Sequence, residues 1–243
     1  MKMVTLTIDG REVQAEQGKT ILEVARKSNI YIPALCSHDG VAVYGACRLC
    51  MVEIVHRGRE RLVASCLYPV EDGLIVRTDS PRVSNVRCMV IELLLARCPD
   101  SEVLQDLANR LGVDKTRFKL EEGNRKCILC ALCTRACEEV VGVSAISLVN
   151  RGVNRQMATP FYAFSEACIA CGSCAYVCPT GAISIEDVGD TRIITMPHVT
   201  MEFKLKKCNT CGRYWAPERQ LDYIVKTAGL PADAFDNCPD CRD

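Results

Sequence analysis

Two stretches with the same cysteine spacing decide the fold of this chain: CILCALCTRACEE (127–139) and CIACGSCAYVCPT (168–180). Each places four cysteines in the pattern C-x2-C-x2-C-x3-C. The residues that follow also run in parallel, because AIS recurs at 145–147 and at 182–184, with four extra residues in the first copy. An internal repeat built around thiols predicts one kind of metal centre made twice.

This spacing is the pattern of bacterial ferredoxins, in which the fourth cysteine of each run ligates the other cluster. Three closely spaced thiolates fit one face of a cubane, and the fourth crosses to the neighbouring centre. Eight cysteines in this register argue against two isolated zinc knuckles. The match is weaker in the first run, because Glu138 follows its last cysteine where the second run has Pro179. The predicted ligand sets are Cys127, Cys130, Cys133 and Cys178 for one [4Fe–4S] cluster, and Cys168, Cys171, Cys174 and Cys137 for the other.

A third cysteine set precedes them, spaced C-x10-C-x2-C-x15-C. Its last three members follow the plant-type [2Fe–2S] pattern, with a longer first loop. Cys36-Ser37-His38 does not indicate a Rieske centre, because such a centre would need a second histidine in the partner pair, and that pair here is Cys47-x2-Cys50. The predicted [2Fe–2S] ligands are Cys36, Cys47, Cys50 and Cys66.

The pattern around these ligands predicts an α+β chain. Residues 4–15 alternate as a hairpin with an Asp9-Gly10 turn, and Thr20 and Glu23 have the spacing of a capping box that opens a helix over 20–28. Further strands are expected at 51–55 and 74–78, and helices at 82–98, led by Ser80-Pro81, at 101–112 and at 217–230. The predicted order is a β-grasp [2Fe–2S] domain (1–79), a helical connector (80–120), a two-[4Fe–4S] ferredoxin domain (121–187), a linker (188–207) and a four-cysteine ribbon (208–243).

The ribbon contains two knuckles, CNTC (208–211) and CPDC (238–241). Two such knuckles predict a tetrahedral metal site on Cys208, Cys211, Cys238 and Cys241. Zinc is the expected ion, with a single iron or a further iron–sulfur cluster as alternatives.

Composition limits the possible functions. The 243 residues include 18 cysteines, and 30 basic residues balance 30 acidic ones, so no general charge favours nucleic acid. The amino terminus alternates like a strand, and the longest apolar run, 88–96, is interrupted by Glu92 and too short to span a bilayer. We therefore expect a cytoplasmic protein with reduced, metal-binding thiols and no membrane span. Neither a G-x-G-x-x-G motif nor a catalytic constellation is present, and residues 16–20 only resemble the end of a P-loop.

The order of these modules resembles the diaphorase iron–sulfur subunit of NAD-reducing hydrogenases. It is also similar to the N-terminal region of the large iron–sulfur subunit of NADH dehydrogenase. The resemblance covers residues 1–187 and implies electron transfer beside a flavin- and NAD(P)-binding subunit and a second catalytic redox subunit. Those families add a [4Fe–4S] site with one histidine and three cysteine ligands. Between 80 and 126 this chain has only Cys88 and Cys98 and no histidine, so we expect no cluster there and interpret both as buried helix thiols.

The predicted function is an electron-relay subunit of a multi-subunit NAD(P)-linked oxidoreductase of the hydrogenase, formate dehydrogenase or ferredoxin:NAD(P) oxidoreductase type. Two other classes fit the same cysteines. One is a free multi-cluster ferredoxin that shuttles between enzymes, and the other is a zinc-ribbon regulator that senses redox state. Cations beside predicted ligands either offset cluster charge or form an ordinary solvated surface: Arg48, Arg125, Lys126 and Arg135.

Overall fold

The computed structural model describes residues 2–122 and 126–242 of the 243-residue chain. The chain divides into two compact units, and the boundary falls between Cys130 and Ala131. Arg125, one of the cations noted beside predicted ligands, lies outside the described residues.

The first unit is built on a five-stranded sheet. Its strands are β1 (Met3–Ile8), β2 (Arg11–Glu16), β3 (Met51–His56), β4 (Arg59–Ala64) and β5 (Ile75–Arg77). They are ordered β2-β1-β5-β3-β4, with β1 and β5 parallel and the other neighbours antiparallel.

The predicted first hairpin is confirmed. Asp9 and Gly10 have φ of 49° and 78°, the two left-handed residues that a tight hairpin turn requires. Strand β4 was not predicted, because its exposed half, Arg59–Arg61, is charged and does not alternate.

Helix α1 (Ile21–Lys27) has the predicted capping box. The Thr20 hydroxyl accepts a hydrogen bond from the Glu23 backbone N–H at 3.2 Å, and the Glu23 carboxylate accepts one from the Thr20 N–H at 2.7 Å. Its apolar face joins the sheet core, in which Leu6, Ile8 and Ile54 are completely or almost completely buried. The helix therefore fixes the start of the loop that carries the first ligands.

Helices α2 (Pro81–Arg97) and α3 (Glu102–Arg110) belong to this same unit. Ser80 caps α2 as predicted, since its hydroxyl accepts from the Val83 N–H at 3.3 Å. A buried guanidinium ties α2 to the sheet, because Arg87 donates to the Met51 carbonyl on β3 at 2.8 Å.

The two thiols of this helical region differ in their surroundings. Cys98 is fully buried and follows the last residue of α2, and burial raises its pKa to about 12. Cys88 is only partly buried and contacts the Leu111 carbonyl at 3.5 Å. We expected both thiols to be buried within helices. Cys98 is buried but lies just after the end of α2, whereas Cys88 lies within α2 but is only partly buried.

The second unit contains the rest of the predicted ferredoxin domain and the carboxy-terminal residues. Short helices follow cysteines of both runs: α4 (Leu132–Arg135), continued by a π-helical turn over Ala136–Val140, and α5 (Ser173–Tyr176). A two-stranded ribbon, β6 (Ser147–Val149) with β7 (Gln156–Ala158), separates the runs.

The predicted linker at 188–207 is wrong, because this segment forms most of a sheet. Strands β8 (Ser184–Val188), β9 (Thr191–Met196), β10 (Val199–Lys207) and β11 (Tyr214–Pro217) lie in the antiparallel order β11-β10-β9-β8. The physical reason is period-two burial on β10, where Met201, Phe203 and Leu205 are buried and the residues between them are exposed. Helix α6 (Glu218–Ala228) follows β11 and ends at Gly229, whose φ is 64°.

Among the described residues, no helix is long and apolar enough to cross a bilayer.

Candidate iron–sulfur and metal centres

The four cysteines of the first module lie together as two pairs. The Sγ atoms of Cys50 and Cys66 are 3.3 Å apart, and the Cys47 backbone N–H donates to the Sγ of Cys36 at 3.4 Å. All four side chains are buried. A [2Fe–2S] cluster has four cysteine ligands and two irons, so a two-by-two arrangement suits it.

Within each pair one thiol stabilises the other as a thiolate. The Cys36 thiol donates to Cys47 and lowers the pKa of Cys47 to about 6, while the pKa of Cys36 itself is raised. Cys66 acts in the same way on Cys50, whose pKa is also about 6. Two of the four sulfurs are therefore anionic near neutral pH, which is the form that binds iron.

The backbone around these pairs is shaped for close approach. Arg48, between two predicted ligands, and Gly45, just before them, both have positive φ, at 60° and 73°. A Cβ on Gly45 would lie 2.5 Å from Cδ1 of Leu67. The Ser65 hydroxyl is fully buried, and its interaction with the Cys50 sulfur helps to lower the pKa of Cys50. A buried hydroxyl donor next to Cys66 suits a loop that holds sulfur acceptors.

The two ferredoxin-like runs have matching backbones. In the first, Leu129 and Ala131 flank the second cysteine with φ of 52° and 64°. In the second, Ala170 and Gly172 flank it with φ of 59° and 83°. Non-glycine residues rarely adopt this region, so its use at equivalent places indicates a constraint that the two runs share.

The fourth cysteines also match. Ala145 N–H donates to the Sγ of Cys137 at 3.2 Å, and Ala182 N–H donates to the Sγ of Cys178 at 3.2 Å. The donor is the first residue of the repeated AIS segment in both cases, eight residues on in the first run and four in the second. The four extra residues are therefore accommodated without losing the N–H···S bond.

The sulfurs of one predicted ligand set influence one another. Burial, with smaller contributions from the nearby Cys168, Cys171 and Cys137, raises the pKa of Cys174 to about 12. Burial likewise raises the pKa of Cys168, with added contributions from Cys137 and Cys171. Four such thiolates repel each other until a cationic centre neutralises them, so this donor set fits an iron–sulfur cluster.

The other predicted set is divided by the boundary between the units. Cys127 and Cys130 belong to the first unit, and Cys133 and Cys178 to the second. Its ligand assignment stays a prediction. Of the cations flanking predicted ligands, Arg135 pairs with Glu139 at 2.7 Å and Arg48 is exposed.

The carboxy-terminal cysteines form the tightest group. The sulfurs of Cys208, Cys211, Cys238 and Cys241 all lie within 4.8 Å of one another, and those of Cys211 and Cys238 are 3.8 Å apart. A tetrahedral ion with metal–sulfur bonds of about 2.3 Å separates its ligands by about 3.8 Å. In a cubane each thiolate binds a different iron, which spreads the four sulfurs further apart. The group can therefore hold one metal ion.

Hydrogen bonds divide the protonation states in this group, because those to Cys238 and Cys211 raise the pKa of Cys241 to about 12 while others favour the thiolate at Cys208. Backbone N–H groups, chiefly those of Cys211 and Cys238, lower the pKa of Cys208 to about 6. The guanidinium of Arg213 lies 3.7 Å from the Sγ of Cys238 and pairs with Asp240. Arg213 was not predicted from the sequence; its place directly after the first knuckle and Gly212 is the available signal.

Comparison with known protein domains gives two matches. Residues 1–81 match a 2Fe-2S iron-sulfur cluster binding domain, and residues 126–182 and 167–213 match a 4Fe-4S dicluster domain. The second of the latter matches extends through the first carboxy-terminal knuckle, whereas Cys238 and Cys241 lie beyond it.

Three relatives illustrate the similarity. The NADP-reducing hydrogenase subunit HndD of Solidesulfovibrio fructosivorans is 35% identical over 213 residues, covering 75% of this chain and 36% of that protein. The mitochondrial NADH-ubiquinone oxidoreductase 78 kDa subunit of Candida albicans is 32% identical over 206 residues, covering 74% of this chain and 28% of that protein. A chain of a crystal structure of NAD+-reducing [NiFe]-hydrogenase in the H2-reduced state is 32% identical with a TM-score of 0.58, and the match covers 64% of this chain and 74% of that one.

This chain belongs to the family of iron–sulfur subunits of NAD(P)-linked hydrogenases and NADH dehydrogenases. It spans about a third of the length of the first of these relatives and just over a quarter of the second. The resemblance to these subunits that was inferred from the order of the cysteine motifs is confirmed. Membership in this iron–sulfur subunit family also supports the coarse fold, a mixed α/β chain with 2Fe-2S and 4Fe-4S ferredoxin domains and a carboxy-terminal cysteine group.

Proposed function

We propose that this chain is an electron-relay subunit of an NAD(P)-linked oxidoreductase complex. One partner would be a flavin- and NAD(P)-binding subunit, and the other a second catalytic redox subunit. The observation that carries the proposal is the coexistence of three iron–sulfur ligand sets with relatives that are subunits of NADP-reducing hydrogenase and NADH-ubiquinone oxidoreductase. When bound, the clusters supply single-electron carriage, which lets a flavin partner divide the two electrons of a hydride.

The chain's own residues would hold, orient and shield these centres. Cys36 with Cys47 and Cys50 with Cys66 supply two buried thiol pairs. The remaining ligands are those predicted from the repeat: Cys127, Cys130, Cys133 and Cys178, and Cys168, Cys171, Cys174 and Cys137. N–H···S bonds such as Ala145 to Cys137 stabilise the more negative, reduced form of a centre.

The proposal includes the finer fold. The strand order β2-β1-β5-β3-β4 with one packed helix supports a β-grasp module over residues 1–79. The connector keeps its range of 80–120, and the ferredoxin domain its range of 121–187. Strands β8–β10 lead into a metal ribbon over 208–243, which contributes β11 to the same sheet. We assign the cytoplasm as its location, since its thiols must stay reduced to bind iron.

The carboxy-terminal site is proposed to hold zinc. A sulfur group within 4.8 Å suits a single tetrahedral ion, and four-cysteine sites with paired knuckles are typical structural zinc sites. Iron in the same site would give a red chain with a high-spin ferric EPR signal, which zinc does not.

One experiment tests the relay. The tagged chain is isolated anaerobically from its native host, and iron, zinc, sulfide and co-purifying flavin are measured with EPR. We expect about ten irons and one zinc per chain, and a flavoprotein in stoichiometric amount. A count of about fourteen irons per chain would indicate that the carboxy-terminal cysteines hold a third [4Fe–4S] cluster instead of zinc. A chain that carries its clusters but co-purifies with no flavoprotein would support a free ferredoxin that shuttles between enzymes. Specific DNA binding would support a redox-sensing regulator. A chain without iron would refute all cluster assignments.

A further inference from the structure

Helix α6 contacts both segments that supply ligands to one predicted [4Fe–4S] centre. Arg219 in its first turn donates to the carbonyl oxygen of Cys168 at 3.3 Å. One turn later, the Tyr223 hydroxyl donates to the carbonyl oxygen of Val141 at 3.4 Å, four residues after Cys137. Cys168 and Cys137 are separated by 31 positions in the sequence, so one helix fastens two distant parts of the same ligand set.

Arg219 has two further contacts. Its guanidinium pairs with Glu166 and lies 5.2 Å from the ring centroid of Phe164. These contacts come from the segment just before Cys168, so the guanidinium is directed at the beginning of the second run.

A second arginine reaches the same run from β9. Arg192 donates to the carbonyl oxygen of Ala170 at 3.2 Å, between Cys168 and Cys171. Its other donors form a two-point bond with Asp187 on β8, at 2.7 and 2.8 Å. The side chain is only 17% exposed, so its charge is poorly screened on the side facing the ligand loop.

Both guanidinium groups lie beside the ligand loop, since Arg219 donates to the carbonyl oxygen of Cys168 and Arg192 donates to that of Ala170. Arginine stays protonated at any accessible pH, so these are permanent positive charges beside a centre that becomes more negative on reduction.

Building on the proposed relay function, we propose that the carboxy-terminal sheet and α6 form a clamp on the centre of Cys168, Cys171, Cys174 and Cys137. In this clamp Arg219 and Tyr223 position its two ligand segments, and Arg192 and Arg219 raise its reduction potential. The clamp gives the carboxy-terminal residues a role in the relay that is independent of the identity of the catalytic partner.

The test uses the full chain with its clusters in an anaerobic redox titration followed by EPR. The variants are Arg219→Gln, Arg192→Gln and Arg219→Lys, with Lys226→Gln as the matched loss of one exposed charge from the same helix. The readout is the ratio of reduced to oxidised cubane at the potential that is the wild-type midpoint. In each glutamine variant this ratio should be about threefold lower than in the wild-type chain. The other two centres and the Lys226→Gln chain should stay unchanged.

Arg219→Lys guards against a folding artefact, since it retains the charge and should shift the ratio less than Arg219→Gln. A separate readout is iron release to a chelator, which Tyr223→Phe should accelerate for one cubane only. Unshifted potentials in chains with all three EPR signals would overturn the clamp and leave the relay intact. An equal shift with Lys226→Gln would also overturn it. Absence of [4Fe–4S] signals from the wild-type chain would overturn both proposals.

Discussion

Gly45 shows how one residue limits the first ligand loop. Gly45 and Gly58 have the same φ of 73°, but a Cβ meets Leu67 at 2.5 Å at the first position and nothing within 4 Å at the second. Gly58→Ala should therefore cost only the backbone strain, about 1 kcal/mol, whereas Gly45→Ala should cost slightly more, because the exposed Leu67 side chain must also rotate away. Anaerobic denaturant unfolding measures both. Adding Leu67→Ala to Gly45→Ala should recover most of the extra loss in the free energy of unfolding. Equal losses in the two single variants would show that the contact with Leu67 does not affect stability.

Cys66 offers a second test at this scale. Its Sγ is 3.3 Å from that of Cys50, whereas the Sγ of Cys88 contacts the Leu111 carbonyl. Cys66→Ser should abolish the [2Fe–2S] EPR signal and remove about two irons, because one iron loses a thiolate ligand, while both cubane signals remain. Cys88→Ser is the control and should retain all iron. Retention of a normal [2Fe–2S] signal in Cys66→Ser would mean that this residue is not a ligand.

At the scale of elements, the capping box of α1 links folding to the first centre. Thr20→Ala removes the acceptor for the Glu23 N–H and should lower the free energy of unfolding by about 1 kcal/mol. Thr20→Ser keeps the hydroxyl and is the control. Because α1 precedes the loop that carries Cys36, the same variant should lose [2Fe–2S] iron faster to a chelator than the control does. Equal unfolding free energies for the two variants would contradict the role of the cap.

Local signals explain which elements could be predicted. The Thr20–Glu23 box, the Asp9-Gly10 turn and the Ser80 cap depend on residues at most three positions apart, and all three are present. Strand β4 and the sheet at 188–207 are formed by tight hairpins, in which His56 pairs with Arg59, Val188 with Thr191 and Met196 with Val199. In β9 the adjacent Ile193 and Ile194 break the alternation that β10 keeps, and Pro197 in the connecting turn adds the appearance of a linker.

The same distinction holds for the candidate site. Cysteine spacing is a property of the sequence, so the family and the kinds of centre followed from it. The two-by-two grouping of the first four thiols and the closeness of the last four appear only when the chain is folded. Arg219 is 51 residues from Cys168, and Arg192 is 22 from Ala170, distances at which no sequence pattern indicates contact.

At the scale of the whole molecule, binding of the metal centres changes the net charge of the chain. The chain has a formal net charge of 0, with 30 basic and 30 acidic residues. Each cluster with its four thiolates adds about −2, as does a zinc ion with four thiolates, so the loaded protein carries about −8. Arg192, Arg213 and Arg219 lie where this negative charge collects, beside ligand sulfurs or their loops.

The carboxy-terminal metal should therefore influence a centre that it does not touch. Its first knuckle, Cys208–Cys211, leads through β11 into α6, the helix that carries Arg219 and Tyr223. Cys241→Ser should release the zinc, loosen α6 and lower the reduced fraction of the Cys168-containing cubane in the same direction as Arg219→Gln, while the [2Fe–2S] midpoint stays fixed. Metal analysis and the EPR titration measure both effects, with Cys88→Ser as the control. Zinc loss with all three midpoints unchanged would show that the ribbon is stable without its ion or that α6 holds its place independently.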